Sequence, residues 1–382
     1  MRIAIITFSD FNTNYGSMLQ AFSLKLYLER RGHKVVFIRY REFNRPPKSD
    51  SVKAALNNLI KNIALKLYYF TKIKDIKETE ANFFNFRNTY FSYTKLYTSS
   101  QEMKEDLQDV DWYLCGSDQI WNIDCLGGLR TPYFLDFAPN DKITMSYAAS
   151  MGDYKLEKKY KSEFIRLLEN LQYISVREKR TALELQKLIS KKVHYVADPV
   201  FLNSKEIWFG LLPDMKIKKK YSLCYFVRRS KRGKDVIKRL NKELKIDILN
   251  VSDNLIYLPR TSSKYISVGP LEFLSLIKNA VFTIGTSFHL TAFSIIFNKP
   301  TLIIGTPHNQ QRIENLLEIV DAKENFISEE EPWNSNFIDR CFQTKYNYKK
   351  LDEFINKSKK FLQLGEDKDN DERKNQCDCS GV

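Results

Sequence analysis

The sequence has few of the residues that usually signal metal centres or disulfide scaffolds. Its 382 residues include six cysteines and four histidines. Only Cys377 and Cys379 lie close together, in a C-x-C pair without the second pair that a zinc site needs. We therefore expect free thiols and no metal. Glycine is also scarce, and the loop after the first predicted strand has one where a dinucleotide-binding fingerprint needs three, which excludes a nicotinamide cofactor at that loop.

Long apolar runs are absent as well. No stretch approaches the ~20 apolar residues of a membrane span, and the opening apolar stretch 1–8 is too short for a signal peptide, so we expect a cytoplasmic protein. The net charge of +15 comes from 61 Lys and Arg against 46 Asp and Glu. These cations are spread along the chain without a nucleic-acid recognition motif, so we expect no nucleic acid partner. An anionic substrate, or peripheral contact with an anionic membrane face, explains the charge equally well.

The order of predicted elements indicates two α/β halves with parallel sheets. A chain of this length exceeds one ordinary core, and a strand, an amphipathic helix and a second strand follow one another from Arg2 to Tyr40. The alternation resumes after a lysine-rich run at 216–220. The predicted parts are a Rossmann-like domain at 1–205, a basic helical insertion at about 50–80, a second Rossmann-like domain at 218–335, a helix at 345–364 that packs back on the first domain, and a disordered tail at 365–382. The insertion either packs on its own domain or lies on a membrane.

The stretch 283–297 combines a strand end, a helix start and a histidine. A short apolar run ends at Gly285, and the following residues are apolar at nearly every helical position until an Asn-Lys-Pro stop. Thr286 or Ser287 can cap such a helix, whose free N–H groups and dipole favour an anion. His289 lies in the first turn beside this predicted anion site. The alternative is a buried histidine that is hydrogen-bonded to a backbone carbonyl.

Two loops after predicted strands carry polar groups at the sheet edge where open α/β folds bind ligands. The first loop offers an amide, a phenol and a hydroxyl group around one glycine, at Asn14, Tyr15, Gly16 and Ser17. The second brings together a carboxylate, an amide and an aromatic ring, at Asp118, Gln119 and Trp121. Such groups suit a sugar, since its hydroxyls need polar partners and its ring faces stack on aromatic side chains. The alternatives are helix capping by Asn14 or Ser17, loop capping by Asp118 and a core position for Trp121.

Two arginines occupy positions suited to an anionic ligand. Arg177 stands at the end of a predicted strand, and Arg312 stands in the first turn of a predicted helix. A guanidinium group holds a carboxylate or a phosphate through two parallel hydrogen bonds. The alternative for Arg177 is an ion pair with Glu178 or Asp198 that organises the loop.

Six motifs together resemble the polysaccharide pyruvyl transferase family. They run in order from about residue 3 to residue 320: Asn14-Tyr15-Gly16 with Leu19-Gln20-Ala21, Gly116-Ser117-Asp118-Gln119-Ile120-Trp121-Asn122, Ser146-Tyr147-Ala148-Ala149-Ser150-Met151-Gly152, Val176-Arg177-Glu178-Lys179, Asp198-Pro199 and Ser287-Phe288-His289. The resemblance implies two Rossmann-like domains that face a cleft in the GT-B manner. It also implies phosphoenolpyruvate as donor and a cell-surface saccharide, or its lipid-linked precursor, as acceptor. In one branch of the family an arginine stands where this chain has Ser287, so one anion contact is missing.

The resemblance implies donor contacts from Arg177 and from the segment that holds His289, and the chemistry expected of such an enzyme gives roles to the other residues singled out above. His289 is the expected acid that protonates the methylene carbon of the donor, and Asp118 is expected to orient or deprotonate the acceptor. The expected donor contacts are Arg177, Arg312, Thr286 and Ser287, and the expected acceptor contacts are Asn14, Tyr15, Gly16, Gln119 and Trp121. No cofactor is expected beside the co-substrate phosphoenolpyruvate. A GT-B-like glycosyltransferase that uses a nucleotide sugar, and a non-catalytic saccharide-binding protein, remain the alternatives.

Overall fold

The computed structural model describes residues 1–10, 13–41, 73–217, 219–227, 230–251, 264–306, 310–331, 334 and 336–379. The predicted basic insertion at about 50–80 lies mostly outside these residues, and only its end falls in a described helical stretch, 73–90. Its two interpretations therefore stay predictions. Among the described residues, no helix combines the length and the apolar character that crossing a membrane requires.

Parallel strands form the centre of each half. The strands of the first half are β1 (Arg2–Ile6), β2 (Lys34–Tyr40), β3 (Tyr93–Tyr97), β4 (Trp112–Cys115), β5 (Ile143–Ser146), β6 (Ile174–Val176) and β7 (Val193–Tyr195). Those of the second half are β8 (Tyr221–Tyr225), β9 (Asp247–Asn250), β10 (Lys264–Tyr265), β11 (Phe282–Gly285), β12 (Thr301–Ile304) and β13 (Phe326–Ile327). Strands β4, β5, β8, β11 and β12 are buried at every position, as expected of parallel strands covered on both faces.

Helices alternate with these strands. They are α1 (Tyr15–Glu29), α2 (73–90 as described), α3 (Ser100–Asp106), α4 (Ile123–Leu126), α5 (Lys158–Glu169), α6 (Lys179–Gln186), α7 (Lys205–Leu211), α8 (Lys231–Leu244), α9 (Pro270–Asn279), α10 (Phe288–Ile296), α11 (Gln310–Ile319), α12 (Asn336–Gln343) and α13 (Tyr348–Cys379). Short 3₁₀ turns cover Thr131–Phe134, Pro199–Phe201 and Lys323–Asn325. The alternation of helix and strand confirms the predicted α/β fold class.

The two halves repeat one strand order. The first sheet runs β3-β2-β1-β4-β5, and bridges from Ala149 to Asp118 and Val176 lead on to the β6-β7 pair. The second sheet runs β10-β9-β8-β11-β12-β13. Each order reverses direction beside its first strand, between β1 and β4 in one half and between β8 and β11 in the other. Open parallel sheets bind their ligands at the carboxyl ends of the strands at such switch points.

Helix α1 joins the two halves. Tyr15, its first residue, stacks on Phe273 of α9 with ring centroids 4.4 Å apart, and its hydroxyl donates to the Val268 carbonyl at 2.9 Å. One hydrophobic cluster accordingly contains residues of both sheets, including Ile3 of β1 and Leu223 of β8. A buried aromatic ring whose hydroxyl is satisfied is a strong packing element. The loop after β1 is thereby held against the second half.

The C-terminal helix continues beyond the point where the sequence predicts a disordered tail. Helix α13 passes through Gly365 and ends at Cys379. A Cβ atom on Gly365 would lie 2.8 Å from the Trp112 ring, so this turn of the helix packs closely on the first half. Glu366 accepts a hydrogen bond from Arg31 Nε at 2.6 Å and lies 2.9 Å from His33 Nε2. The charged composition predicted a solvated tail, whereas two side chains 333 and 335 residues earlier in the chain, His33 and Arg31, hold this glutamate.

Candidate active site

A glycine turn leads from β11 into α10. A Cβ atom at Gly285 would lie 2.0 Å from the Tyr225 carbonyl oxygen of β8, so the two strands approach too closely there for any other residue. Ser287 then caps α10, its hydroxyl accepting from the Leu290 N–H at 3.3 Å. This cap satisfies one of the N–H groups that a helix start leaves without a partner.

His289, in the first turn of α10, lies between the first turn of α1 and an aspartate that follows β7. A Cβ atom on Gly16 would be 2.1 Å from His289 Nδ1, so the glycine leaves the space that the imidazole fills. On its other side, His289 Nε2 is 3.5 Å from Asp198 Oδ2, and the ring nitrogen has no hydrogen-bond partner in the described part of the chain. The ring is 8% exposed. His289 therefore reaches from the second half into the first.

Asp198 is the buried centre of this network. Its Oδ2 accepts from Arg177 Nη1 at 2.6 Å and from the Ser117 hydroxyl at 3.3 Å, while its Oδ1 caps the Val200 N–H at 3.1 Å. Burial works against its charge, yet His289 and Arg177 hold the pKa of this carboxyl well below its usual range. Asp198 is thus an ionised counter-charge that touches a guanidinium group and faces an imidazole.

Arg177 has more donors than its aspartate can use. Nη1 pairs with Asp198, but Nε and Nη2 are buried and have no hydrogen-bond partner within the described residues. Nε and Nη2 form one edge of the guanidinium plane, the arrangement that binds a carboxylate or phosphate through two parallel bonds. Burial opposes the charge of Arg177, but Asp198 and Glu178 outweigh it and raise its pKa. The group stays cationic with an empty donor edge.

Arg312 lies near the same place from the second half. The guanidinium carbons of Arg177 and Arg312 are 5.0 and 5.8 Å from the centre of the Phe288 ring, so both cations border one aromatic side chain. Nε of Arg312 is buried without a hydrogen-bond partner among the described residues. Burial and the neighbouring Arg177 lower the pKa of Arg312. Two cations that repel each other, Arg177 buried and Arg312 partly buried, and that keep buried nitrogens without hydrogen bonds form a site for an anion.

Asp118 follows β4 in a strained backbone conformation. Its φ of 79° lies in the left-handed region that non-glycine residues rarely adopt. Its Oδ2 accepts a short hydrogen bond from the Ser17 hydroxyl, and its Oδ1 accepts from the Gln119 N–H at 2.9 Å. The carboxylate is therefore fixed in one orientation between the first turn of α1 and the loop after β4. Strain of this kind concentrates at functional positions.

Two predicted acceptor contacts are corrected by the structure. Tyr15 and Trp121 are each 1% exposed. The Tyr15 ring packs on Phe273 at the seam of the two halves, and the Trp121 ring stacks on Phe134 at 5.2 Å while its Nε1 donates to the Tyr133 carbonyl. Both rings are core side chains, because each polar atom finds a backbone partner inside the protein.

Other predicted contacts are engaged in local structure. Asn14 caps α1 by accepting from the Ser17 N–H at 3.1 Å, which is the helix-capping alternative given above for this residue. Thr286 accepts from the Val227 N–H at 3.1 Å. The Gln119 amide oxygen accepts from Asn122 Nδ2 at 2.8 Å. These contacts shape the loops around the site, so the roles predicted for these side chains stay predictions.

Sequence reasoning gave Asp198 and Glu178 no role beyond pairing with Arg177. Each is 2% exposed, and each lies directly against the arginine. The signal was present in the Asp198-Pro199 and Arg177-Glu178 pairs that follow predicted strands, since carboxyl ends of parallel strands meet at one edge. In the described ranges, no cluster of three or more His, Cys, Asp or Glu side chains fits a metal ion.

Comparison with solved structures identifies the fold. The chain is similar to UDP-GlcNAc 2-epimerase from Methanocaldococcus jannaschii, with 14% identity, 91% of this chain and 94% of that chain covered, and a TM-score of 0.50. It is also similar to the wall teichoic acid polymerase TagF, with 14% identity, coverage of 98% and 90%, and a TM-score of 0.48. E. coli heptosyltransferase WaaC matches with 10% identity, coverage of 96% and 100%, and a TM-score of 0.41. The first of these similarities, together with the parallel sheets flanked by helices, shows a GT-B-like fold.

Comparison of the sequence identifies the family. No curated protein matches the chain in sequence. The family model described as polysaccharide pyruvyl transferase matches residues 14–309. That segment contains Gly16, Asp118, Arg177, Asp198 and His289, whereas Arg312 lies just beyond its end. The chain belongs to the polysaccharide pyruvyl transferase family.

Proposed function

We propose that the chain transfers a pyruvyl group from phosphoenolpyruvate to a sugar of a cell-surface polysaccharide or its lipid-linked precursor, forming a ketal. One observation carries the choice of donor. The Nε and Nη2 edge of Arg177 and the Nε of Arg312 are buried donors without partners among the described residues, beside His289. A small ligand with two anionic groups and a carbon to be protonated matches this set of groups.

The residues then divide the work. Arg177 and Arg312 hold the carboxylate and the phosphate of phosphoenolpyruvate, and His289 gives a proton to its methylene carbon. The resulting oxocarbenium-like centre is attacked by one sugar hydroxyl, the carbon–oxygen bond to phosphate breaks, and a second hydroxyl closes the ketal. Asp118, held by Ser17, orients the acceptor or takes its proton. Asp198 stabilises the positive charge of His289 and fixes the guanidinium plane of Arg177.

The donor is tested by binding and by substitution. A ligand that binds only the folded chain at 100 times its dissociation constant adds about 2.7 kcal/mol to stability, which thermal melting detects. We expect phosphoenolpyruvate to raise the melting temperature and UDP-GlcNAc to leave it unchanged. Stabilisation by the nucleotide sugar alone would support the alternative, a nucleotide-sugar glycosyltransferase.

Arg177→Lys tests the proposed contact. Lysine can keep the ion pair with Asp198 but cannot offer the two parallel donors of the Nε and Nη2 edge. We expect donor affinity to fall about 10–100-fold, the effect of losing one or two charge-assisted hydrogen bonds. Arg180→Lys is the matched control, because Arg180 is exposed and pairs only locally with Glu184 at 2.6 Å. Equal donor affinity in both variants would show that Arg177 is structural.

A further inference from the structure

Glu178 is a buried carboxyl group beside the empty edge of Arg177. Its side chain is 3% exposed. Oε1 accepts from the Ser150 hydroxyl at 2.5 Å and lies 3.6 Å from Arg177 Nε. Oε2 is buried and has no hydrogen-bond partner in the part of the chain that the structure describes. The Glu178 carboxyl group thus neighbours the Nε and Nη2 edge of Arg177, and both keep atoms without a hydrogen-bond partner among the described residues.

Charged, titratable and hydrogen-bonding groups face Glu178 from several elements. These are Arg177 at the end of β6, Ser150 and the Met151 N–H in the loop after β5, Tyr195 in β7 and Arg312 in α11. Arg312 in turn faces Asp118 and Asp153. Two guanidinium groups are therefore surrounded by four carboxyl groups, counting Asp198, with His289 at the edge. If all four were ionised, an anionic donor would enter a site whose acidic groups outnumber its arginines.

We propose that Glu178 binds the donor in its protonated form. Glu178 takes a proton from solvent when the anionic substrate occupies the Nε and Nη2 edge of Arg177. The O–H group of Glu178 then donates a hydrogen bond to an oxygen of that substrate. A neutral carboxyl group adds a hydrogen-bond donor to the anion site. An ionised carboxylate would instead repel the anionic ligand from its position beside Arg177. This inference rests on the proposed function only for the identity of the anion.

The environment of Glu178 favours the neutral form. Burial raises its pKa, and Arg177 and Arg312 oppose that shift only in part. A bound anion would cancel the charge of the two arginines and favour the proton further. Donor affinity should be constant at pH values below the pKa of Glu178 in the free chain. Above that pKa the affinity should weaken by up to about tenfold per pH unit, because binding must then recruit a proton.

Calorimetry measures this proton directly. Titrations of phosphoenolpyruvate in buffers of different ionisation enthalpy, repeated across a pH series, give the number of protons taken up on binding. The donor's own titration contributes equally to wild type and to Glu178→Gln, so their difference isolates Glu178. We expect the wild type to take up close to one proton more than Glu178→Gln at high pH, and we expect the variant to lose the decline of affinity with pH. Glu184→Gln, which changes an exposed glutamate on α6, should match the wild type.

Equal proton counts in wild type and Glu178→Gln at every pH would overturn the proposal. If Glu178→Gln does not fold, infrared difference spectroscopy of the wild type decides instead, since donor binding should create a protonated-carboxyl band and its absence would overturn the proposal. UDP-GlcNAc serves as a parallel probe. A one-proton difference with UDP-GlcNAc, but no binding of phosphoenolpyruvate, would support Glu178 and contradict the proposed function. Binding of phosphoenolpyruvate with equal proton uptake by wild type and Glu178→Gln would support the proposed function and contradict the role of Glu178.

Discussion

Replacing Gly16 by alanine should displace the His289 ring while residue 289 remains a histidine. The added Cβ would lie 2.1 Å from Nδ1, 2.7 Å from Cε1 and 2.8 Å from Cγ of the imidazole. Non-bonded carbon and nitrogen atoms pack at about 3.5–4.0 Å, so the ring must move by roughly 1.5–2 Å. The helix cannot shift instead, because Leu290 and Thr291 beside the histidine are fully buried. The ring has to rotate out of its present position, which changes its contact with Asp198.

The expected size of the effect follows from this displacement. Overpacking a closed site costs about 1–3 kcal/mol of stability, and a misplacement of about 1 Å in a reacting group costs about 10²-fold in rate. We therefore expect Gly16→Ala to fold with a lower melting temperature and to lose at least about 10²-fold in turnover per folded molecule. Gly210→Ala is the control, since a Cβ on this exposed glycine meets nothing within 4 Å. It should keep full turnover.

Imidazole NMR checks the cause without any assumption about the reaction. The chain has four histidines, so each ring can be followed separately. Gly16→Ala should shift the His289 resonances and leave those of His33 and His194 in place. Unshifted His289 resonances together with near-wild-type turnover would refute the argument that Gly16 exists to make room for the ring.

Three further outcomes are expected. His289→Gln should keep the fold and donor binding but lower turnover by ~10²–10⁴, because glutamine cannot cycle a proton. Turnover is measured as phosphate released from phosphoenolpyruvate. A lower melting temperature with unchanged turnover would show that the ring is only a packing group. Asp198→Asn should lower the free energy of unfolding in urea by about 3–5 kcal/mol, since it leaves Arg177 buried without its counter-charge; a loss under 1 kcal/mol would contradict the network. Burial opposes the charge of Glu366, but Arg31 and His33 lower its pKa from 4.5 to about 2, so its contribution to stability is present above pH 4.5 and lost as the pH falls toward 2. The stability gap between wild type and Glu366→Gln should close over that range, and a gap that persists at pH 2 would show that the ion pair is not its source.

Local pattern was enough to predict where polar groups would gather. Arg177 directly follows β6, and Asp118 and His289 come within four residues of the ends of β4 and β11. Parallel topology brings the strand ends of each sheet to one edge of that sheet. The α/β class and the repeated halves followed from the same alternation of short apolar runs with amphipathic helices. These features depend on residues close together in the sequence, where periodicity carries the information.

The direction in which individual side chains point was not predictable in this way. Tyr15 and Trp121 looked like sugar contacts because their neighbours are polar, but which way each ring points depends on Phe273 and Phe134, which lie 258 and 13 residues away. The role of Asp198 was hidden for the same reason. An Asp-Pro pair predicts a turn locally, and only the fold brings it to His289, which lies 91 residues later.

A buried cluster of ion pairs is not explained by stability. Taking charges out of water costs as much as their attraction returns, and apolar side chains would pack the same space at lower cost. Here Arg177 and Glu178 belong to the first half, whereas Arg312 and His289 belong to the second, and the two arginines repel each other. An anion between them would cancel that repulsion and contact both halves at once. The guanidinium nitrogens that have no hydrogen-bond partner among the described residues are therefore suited to an anionic ligand that bridges the two halves.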